Sequence, residues 1–278
     1  MNRASSATGW VRNPVMKSPE LDPTQASSYE LGWTFNPITG CLNGCEYCYA
    51  RKLANTRLKE RYLANKNFAT PDGSNVSPAK AYEIVNDPFY PRFWEDRQGE
   101  IMGVKDGKGI FVCDMSDLFG IGIPEEWIRT ILRHISMRQG LRFYLLTKQP
   151  QNLIKWSPFP SNCYVGVSCS DEIMLTNAYA PFKQVDAKVK FISFEPLLNS
   201  DMSVVDLEWT LRDIGIKWVI IGAQTKPTIM PKKLWVEEIT EACKKASIPY
   251  FLKDNLRPLM GDILQSSGKN VPSFTALD

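Results

Sequence analysis

The chain has 278 residues, of which 44% are apolar, 23% charged and 11% aromatic, and it carries a formal net charge of +3 at pH 7. That apolar share over that length can bury a full core, which excludes a long disordered chain and leaves one barrel-sized domain or two smaller ones. No apolar run reaches the roughly 18 residues of a membrane helix, and the opening Met1-Asn-Arg-Ala-Ser-Ser lacks the hydrophobic stretch of a secretory signal, so a cytoplasmic protein without membrane association is expected. The seven cysteines are an odd count. Cys113, Cys163, Cys169 and Cys243 lie in or beside apolar segments, as in a reducing compartment rather than a disulfide framework. A pI near 8.4 is compatible with nucleic-acid binding without indicating it.

Residues 1–28 carry no sustained period and read as an N-terminal arm. From Tyr29 onward, short β-branched and apolar runs alternate with amphipathic stretches, the pattern of parallel strands covered by helices. Strands are predicted at 31–36, 109–114, 142–147, 163–168, 189–195, 217–222 and 249–253, giving six or seven βα units. Between 65 and 108 the pattern breaks around Pro71-Asp72-Gly73 and Pro88 to Pro91, with a short helix near 79–85, and this is read as an insertion. Pro124, Glu125 and Glu126 open a helix with acids where its dipole favours them. Trp127, Ile128, Ile131, Leu132 and Ile135 line its buried stripe. A second helix runs from about Pro231 through Trp235, Ile239 and Cys243 to Lys245. Residues 256–278 read as a C-terminal tail, and nothing in the sequence sets an oligomeric state.

The chemistry centres on Cys41, Cys45 and Cys48, a Cys-x3-Cys-x2-Cys run behind the first predicted strand. Three thiolates this close predict a metal site with one coordination position left open. Either a [4Fe-4S] cluster with one iron free of cysteine or a three-cysteine zinc site completed by another residue fits. The only histidine, His134, lies far downstream in a predicted helix. Polar residues gather at the strand ends: Asp114, Ser116 and Asp117; Thr147, Lys148 and Gln149; Ser168 to Asp171; Glu195; Gln224; and Lys253 to Asn255. Each could cap the following helix. In a β/α barrel they would also converge on one mouth.

With Tyr47 before the last cysteine, the triplet resembles the signature of the radical S-adenosylmethionine (radical SAM) enzymes. The stretches Phe-Asn-Pro-Ile-Thr-Gly-Cys at 35–41, Phe-Val-Cys-Asp-Met-Ser-Asp-Leu-Phe-Gly at 111–120, Tyr-Leu-Leu-Thr-Lys at 144–148, Val-Gly-Val-Ser at 165–168 and Phe-Ile-Ser-Phe-Glu-Pro-Leu-Leu at 191–198 resemble, more narrowly, a phage-associated radical-SAM-like family of uncharacterised function. That family is itself similar to spore photoproduct lyase, a DNA-repair enzyme. The resemblance covers about residues 29–255 and implies an α/β fold, a partial (β/α) barrel with the cluster at its mouth.

It further implies that Cys41, Cys45 and Cys48 hold a [4Fe-4S] cluster and that S-adenosylmethionine binds the open iron, with a flavodoxin- or ferredoxin-like reductant as partner. Tyr47 would then pack near the adenine. Asp114 and Ser116 would accept from the methionyl amino group, and Ser168 would bond ribose or carboxylate. Lys148 would neutralise a carboxylate or a substrate phosphate. Glu195, buried beside Pro196, would need an ammonium or hydroxyl partner, which the cofactor could supply. Cys169 is the candidate catalytic thiol, returning a hydrogen atom to a product radical, against the alternative of a small buried hydrophobe. Two stretches depart from the family pattern: Gly222-Ala-Gln-Thr-Lys226 places Gln224 where relatives carry a carboxylate, and Lys253-Asp-Asn-Leu-Arg257 keeps only a lysine.

Nucleic-acid repair or modification is the favoured use, and peptide, transfer RNA and small-molecule substrates stay open. Arg51, Lys52, Arg57, Lys59, Arg61 and Lys66 precede Phe89, Tyr90, Phe93 and Trp94, the charge and flat surface that phosphates and unstacked bases require. Interleaved Glu60, Asp87, Glu95 and Asp96 fit a solvated helix face with a packed aromatic loop better. The alternatives are a non-catalytic zinc- or cluster-bearing nucleic-acid-binding protein and an interaction subunit that has kept the barrel and lost turnover.

Overall fold

A computed structural model of the chain describes residues 1–3, 12–15, 28–69 and 76–261; most of the predicted arm, the Pro71-Asp72-Gly73 turn and the tail from 262 lie outside the described residues. Seven strands form the frame: β1 (Trp33–Phe35), β2 (Gly109–Val112), β3 (Arg142–Thr147), β4 (Cys163–Ser168), β5 (Val189–Phe194), β6 (Ile216–Ile221) and β7 (Tyr250–Leu252). Each pairs in parallel with the next, so the sheet runs in sequence order and curls into a half-barrel. Among the described residues β7 and β1 do not pair, and Asn2–Arg3 adds antiparallel to the free edge of β1. A partial (β/α) barrel is therefore the fold. Several strands end before the expected polar residues, which leave the ladder to form the loops at the mouth.

The helices are α1 (Tyr49–Ala54), α2 (Lys59–Ala64), α3 (Pro78–Asn86), α4 (Glu125–Ser136), α5 (Glu172–Lys183), α6 (Val204–Ile214), α7 (Lys233–Ala246) and α8 (Arg257–Met260). Capping explains several starts. The Asp171 carboxylate accepts from Met174 N and opens α5, and the Ser203 hydroxyl accepts from Asp206 N and opens α6. Gly215, at φ +81°, turns α6 into β6. Trp127, Ile128, Ile131 and Ile135 are buried along α4 as the apolar period requires, while Leu132 is half-buried. Leu256 and Met260 at the start and end of the α8 region are buried in the same core. No helix among the described residues is long and apolar enough to cross a membrane.

The insertion between α2 and β2 is a brace. Arg92–Phe93 pairs antiparallel with Ile38–Thr39 just before the cysteine loop. Arg92 is fully buried, and its two terminal nitrogens donate to the carbonyls of Asn65, Val85 and Asp87, while its Nε has no hydrogen-bond partner among the described residues. Phe89, Tyr90, Phe93 and Trp94 are all buried, so the aromatic run packs inside and offers no stacking surface to bases.

Side chains alternate along the strands. One face collects Phe111, Tyr144, Tyr164, Val189, Phe191, Trp218, Ile220 and Phe251, which fill the inside of the half-barrel. The other carries Ile110, Val112, Cys163, Val165 and Val167 into the layer under the helices. Gly166 faces inward, and a Cβ there would meet the Phe191 ring at 2.4 Å. Gly166→Ala is therefore expected to overpack the barrel and lower stability by about 1–3 kcal/mol, measured by urea unfolding; an unchanged midpoint would mean that the Phe191 ring moves freely.

Candidate functional site

At the C-terminal ends of the strands lies a cavity of about 200 Å³. All three motif cysteines line it, together with Tyr47, Asp114, Ser116, Lys148, Ser168 and Glu195. The loop carrying the cysteines is held from two sides. Gly40 sits at φ +88° with its backbone against Phe89 and Tyr90, where any Cβ would come within 2.4 Å of the Tyr90 carbonyl oxygen. Its amide donates to Met115 O, and Cys41 N donates to Phe89 O at 3.0 Å. Cys41 Sγ accepts from Asn43 N at 3.4 Å, and Cys48 Sγ caps α1 by accepting from Arg51 N at 3.3 Å.

Asp117 fastens that loop to the barrel. Its carboxylate accepts from Asn43 Nδ2 at 2.8 Å, from Lys148 N at 2.9 Å and from Phe119 N at 3.1 Å. Burial pushes its pKa above the ordinary value, and that of Asp114 likewise, against the hydrogen bonds that lower each. Asp114 is gripped by Asn36 Nδ2, and Tyr49 OH donates to its carbonyl oxygen at 2.6 Å. Burial pushes the Cys41 thiol up to about 12, with the Asp117 charge adding to it. The Cys45 thiol is also raised by burial, with Lys148 opposing the shift. In the metal-free chain Cys41 is thus protonated at neutral pH, and a metal must displace its proton to bind.

On the opposite wall, Lys148 Nζ donates to Ser168 Oγ at 2.7 Å and lies 5.4 Å from the centre of the Tyr47 ring. Tyr47 OH pairs with Ser170 Oγ at 2.7 Å. Ser116 Oγ donates to the Gly40 carbonyl, so its hydroxyl proton serves the cysteine loop. Glu195 pairs with Lys253, which is 2% exposed, so the partner expected from a cofactor is supplied by the chain itself. Gln224 lines the wall, its Nε2 donating to Pro227 O.

Cys169 is the exception among the candidates. It follows Ser168 by one residue, so the strand alternation turns it to the outer face, where it is 1% exposed in the apolar core beneath the helices. It does not line the cavity, and its placement is that of a small buried hydrophobe. Asn43 and Ser193 are the residues that sequence reasoning passed over, while Asp117 and Lys253 are expected at the mouth without an assigned role. Ser193 is inward-facing on β5 and 1% exposed, and its hydroxyl has no hydrogen-bond partner among the described residues. Counting by twos back from Glu195 would have found it.

The donor set suits a soft metal centre: three thiols share one wall, and no histidine lines the cavity. Among the described residues no three His, Cys, Asp or Glu side chains are close enough together, as they stand, to hold a metal ion.

A family model described as a protein of unknown function (DUF5131) matches residues 29–260. The chain belongs to the DUF5131 family. No curated protein and no solved structure matches it. The match to the DUF5131 model spans the whole half-barrel, the cysteine loop and the insertion, and it ends at the last residue of α8.

The raised Asp117 carboxyl has a thermodynamic consequence for this DUF5131 chain. The unfolded chain ionises near 3.8 and the folded chain only at higher pH, so this group's contribution to stability is greatest in acid and falls as pH rises past that value. The stability difference between wild type and Asp117→Asn should therefore decline from about pH 4 upward in urea titrations at a series of pH values. A flat difference would show that the carboxyl titrates normally.

Proposed function

We propose that this chain is a radical SAM iron-sulfur enzyme, with nucleic acid as the substrate class. The observation that carries this reading is the convergence of Cys41, Cys45 and Cys48 with Asp114, Lys148, Ser168 and Glu195 on one cavity at the mouth of a parallel half-barrel. Cys41, Cys45 and Cys48 would hold a [4Fe-4S] cluster, and S-adenosylmethionine would share the cavity. Bound there and given one electron by the reductant, the pair would supply 5'-deoxyadenosyl radical chemistry, with methionine as the other product of the carbon-sulfur cleavage.

The chain's own residues suit that cargo. The Asp114 carboxylate, fixed by Asn36 and Tyr49, is a ready acceptor for an ammonium group. Lys148 Nζ, poised on Ser168 Oγ, can turn to a carboxylate and also favours the Cys45 thiolate. The unpartnered Ser193 hydroxyl offers one more hydrogen bond from inside the wall. Phe89, Phe111 and Leu146 contribute apolar wall that excludes water from a reactive intermediate. Glu195 and Lys253 neutralise each other and keep the cavity floor from carrying an uncompensated charge. The reading requires a flavodoxin- or ferredoxin-like reductant and a reducing compartment such as the cytoplasm.

The test uses anaerobically purified, iron-reconstituted protein, reduced with dithionite in the presence of S-adenosylmethionine and assayed for 5'-deoxyadenosine. Brown protein that forms 5'-deoxyadenosine, with formation abolished in Cys45→Ala, is the expected result. Colourless protein that retains one zinc after reconstitution, with no affinity for S-adenosylmethionine, would overturn the proposal.

A further inference from the structure

Behind the cysteine cavity lies a second one, of about 330 Å³, and the two share Tyr49 and Asp114 as a common wall. Three arginines from separate segments line it: Arg57 in the turn after α1, Arg61 on α2, and Arg97 in the short helical turn Glu95–Arg97. Arg61 and Arg97 both lie over the Trp94 ring, with their guanidinium carbons 5.7 and 3.8 Å from its centre. Arg97 NH1 donates to Asn36 O at 2.9 Å, which fixes the guanidinium plane. None of the three arginines forms an ion pair with a described residue.

Two carboxylates face the same space. Glu100 is 2.8 Å from the amino group of Met1, and Asp114 is engaged by Asn36 and Tyr49. With that amino group counted, cationic groups outnumber anionic ones around the cavity. Burial and the neighbouring Arg61 charge both push the Arg97 pKa down. Like charges brought together on a shared aromatic ring are stabilised by an anion, and planar guanidinium forks match the geometry of phosphate oxygens.

We infer that the Arg57, Arg61 and Arg97 cavity is a phosphate-binding site, one side-chain layer from the cysteine cavity. The inference does not rest on the radical SAM reading, because the arginines and their cavity exist whatever the thiols hold. A phosphate group seated there would belong either to a polynucleotide backbone or to a small phosphorylated compound. A polynucleotide would agree with the proposed substrate, since a chain anchored at this point passes close to the barrel mouth.

The test uses the full-length protein without added cofactor at low salt. Pyrophosphate is titrated by calorimetry, and a fluorescent single-stranded twelve-nucleotide DNA by anisotropy. Arg57→Ala/Arg61→Ala removes two exposed side chains and should leave thermal unfolding unchanged. Lys244→Ala/Lys245→Ala, at the end of α7, removes the same charge elsewhere. Wild type and the lysine variant should bind pyrophosphate, and the arginine variant should bind it about tenfold more weakly. If the phosphate comes from a polynucleotide, the oligonucleotide should follow the same order, with a salt slope reduced by about two in the arginine variant. Pyrophosphate binding without oligonucleotide binding would assign the site to small phosphorylated compounds. No binding of either probe, or equal losses in the arginine and lysine variants, would overturn the site.

Discussion

The period-two alternation of the parallel strands decides what this cavity can contain. Inward positions carry aromatic side chains through the body of the half-barrel and then, at the last inward step, Lys148, Ser168 and Glu195. The aromatic plug closes the space below. The polar ends are thereby confined to a shallow mouth, and the cysteine loop is the remaining wall. A shift of one residue in any strand would exchange core for cavity, which is what separates Ser168 from Cys169.

Charge at the mouth is compensated pair by pair. Glu195 has Lys253, while Asp117 is held by Asn43, Thr147, Lys148 and Phe119, and Asp114 by the side chains of Asn36 and Tyr49. Burial still holds both aspartates above their ordinary pKa, so the hydrogen bonds offset desolvation without cancelling it. Such a site is costly to leave ionised and empty, and an added cation near Asp114 would be stabilised there. The Asp117 hub also couples the first βα loop to the third, so that the placement of the cysteines depends on the far end of β3.

The insertion illustrates how a segment without a clear period can be fully determined by contacts. Phe89, Tyr90, Phe93, Trp94 and Arg92 are buried, and the backbone of the insertion reaches Cys41 and Gly40 directly. The same segment brings Arg97 alongside Arg61. The basic and aromatic residues that suggested a nucleic-acid surface are therefore divided: the aromatics belong to the core, and Arg57 and Arg61 face a cavity.

The sequence by itself determined the seven strands, the principal helices and the cysteine loop, because strand period, helix caps and motif spacing are local properties; the half-barrel class came from the family resemblance of the cysteine motif, since period alone does not choose between an open sheet and a barrel. It also determined that polar strand ends would share one mouth, which follows from parallel order. It did not reveal that Lys253 answers Glu195, that Ser116 serves Gly40, that Asn43 and Lys148 meet on Asp117, or that Cys169 turns away. Each of those depends on which side chains face one another across residues far apart in the chain, and only the curl of the sheet and the seating of the insertion decide that.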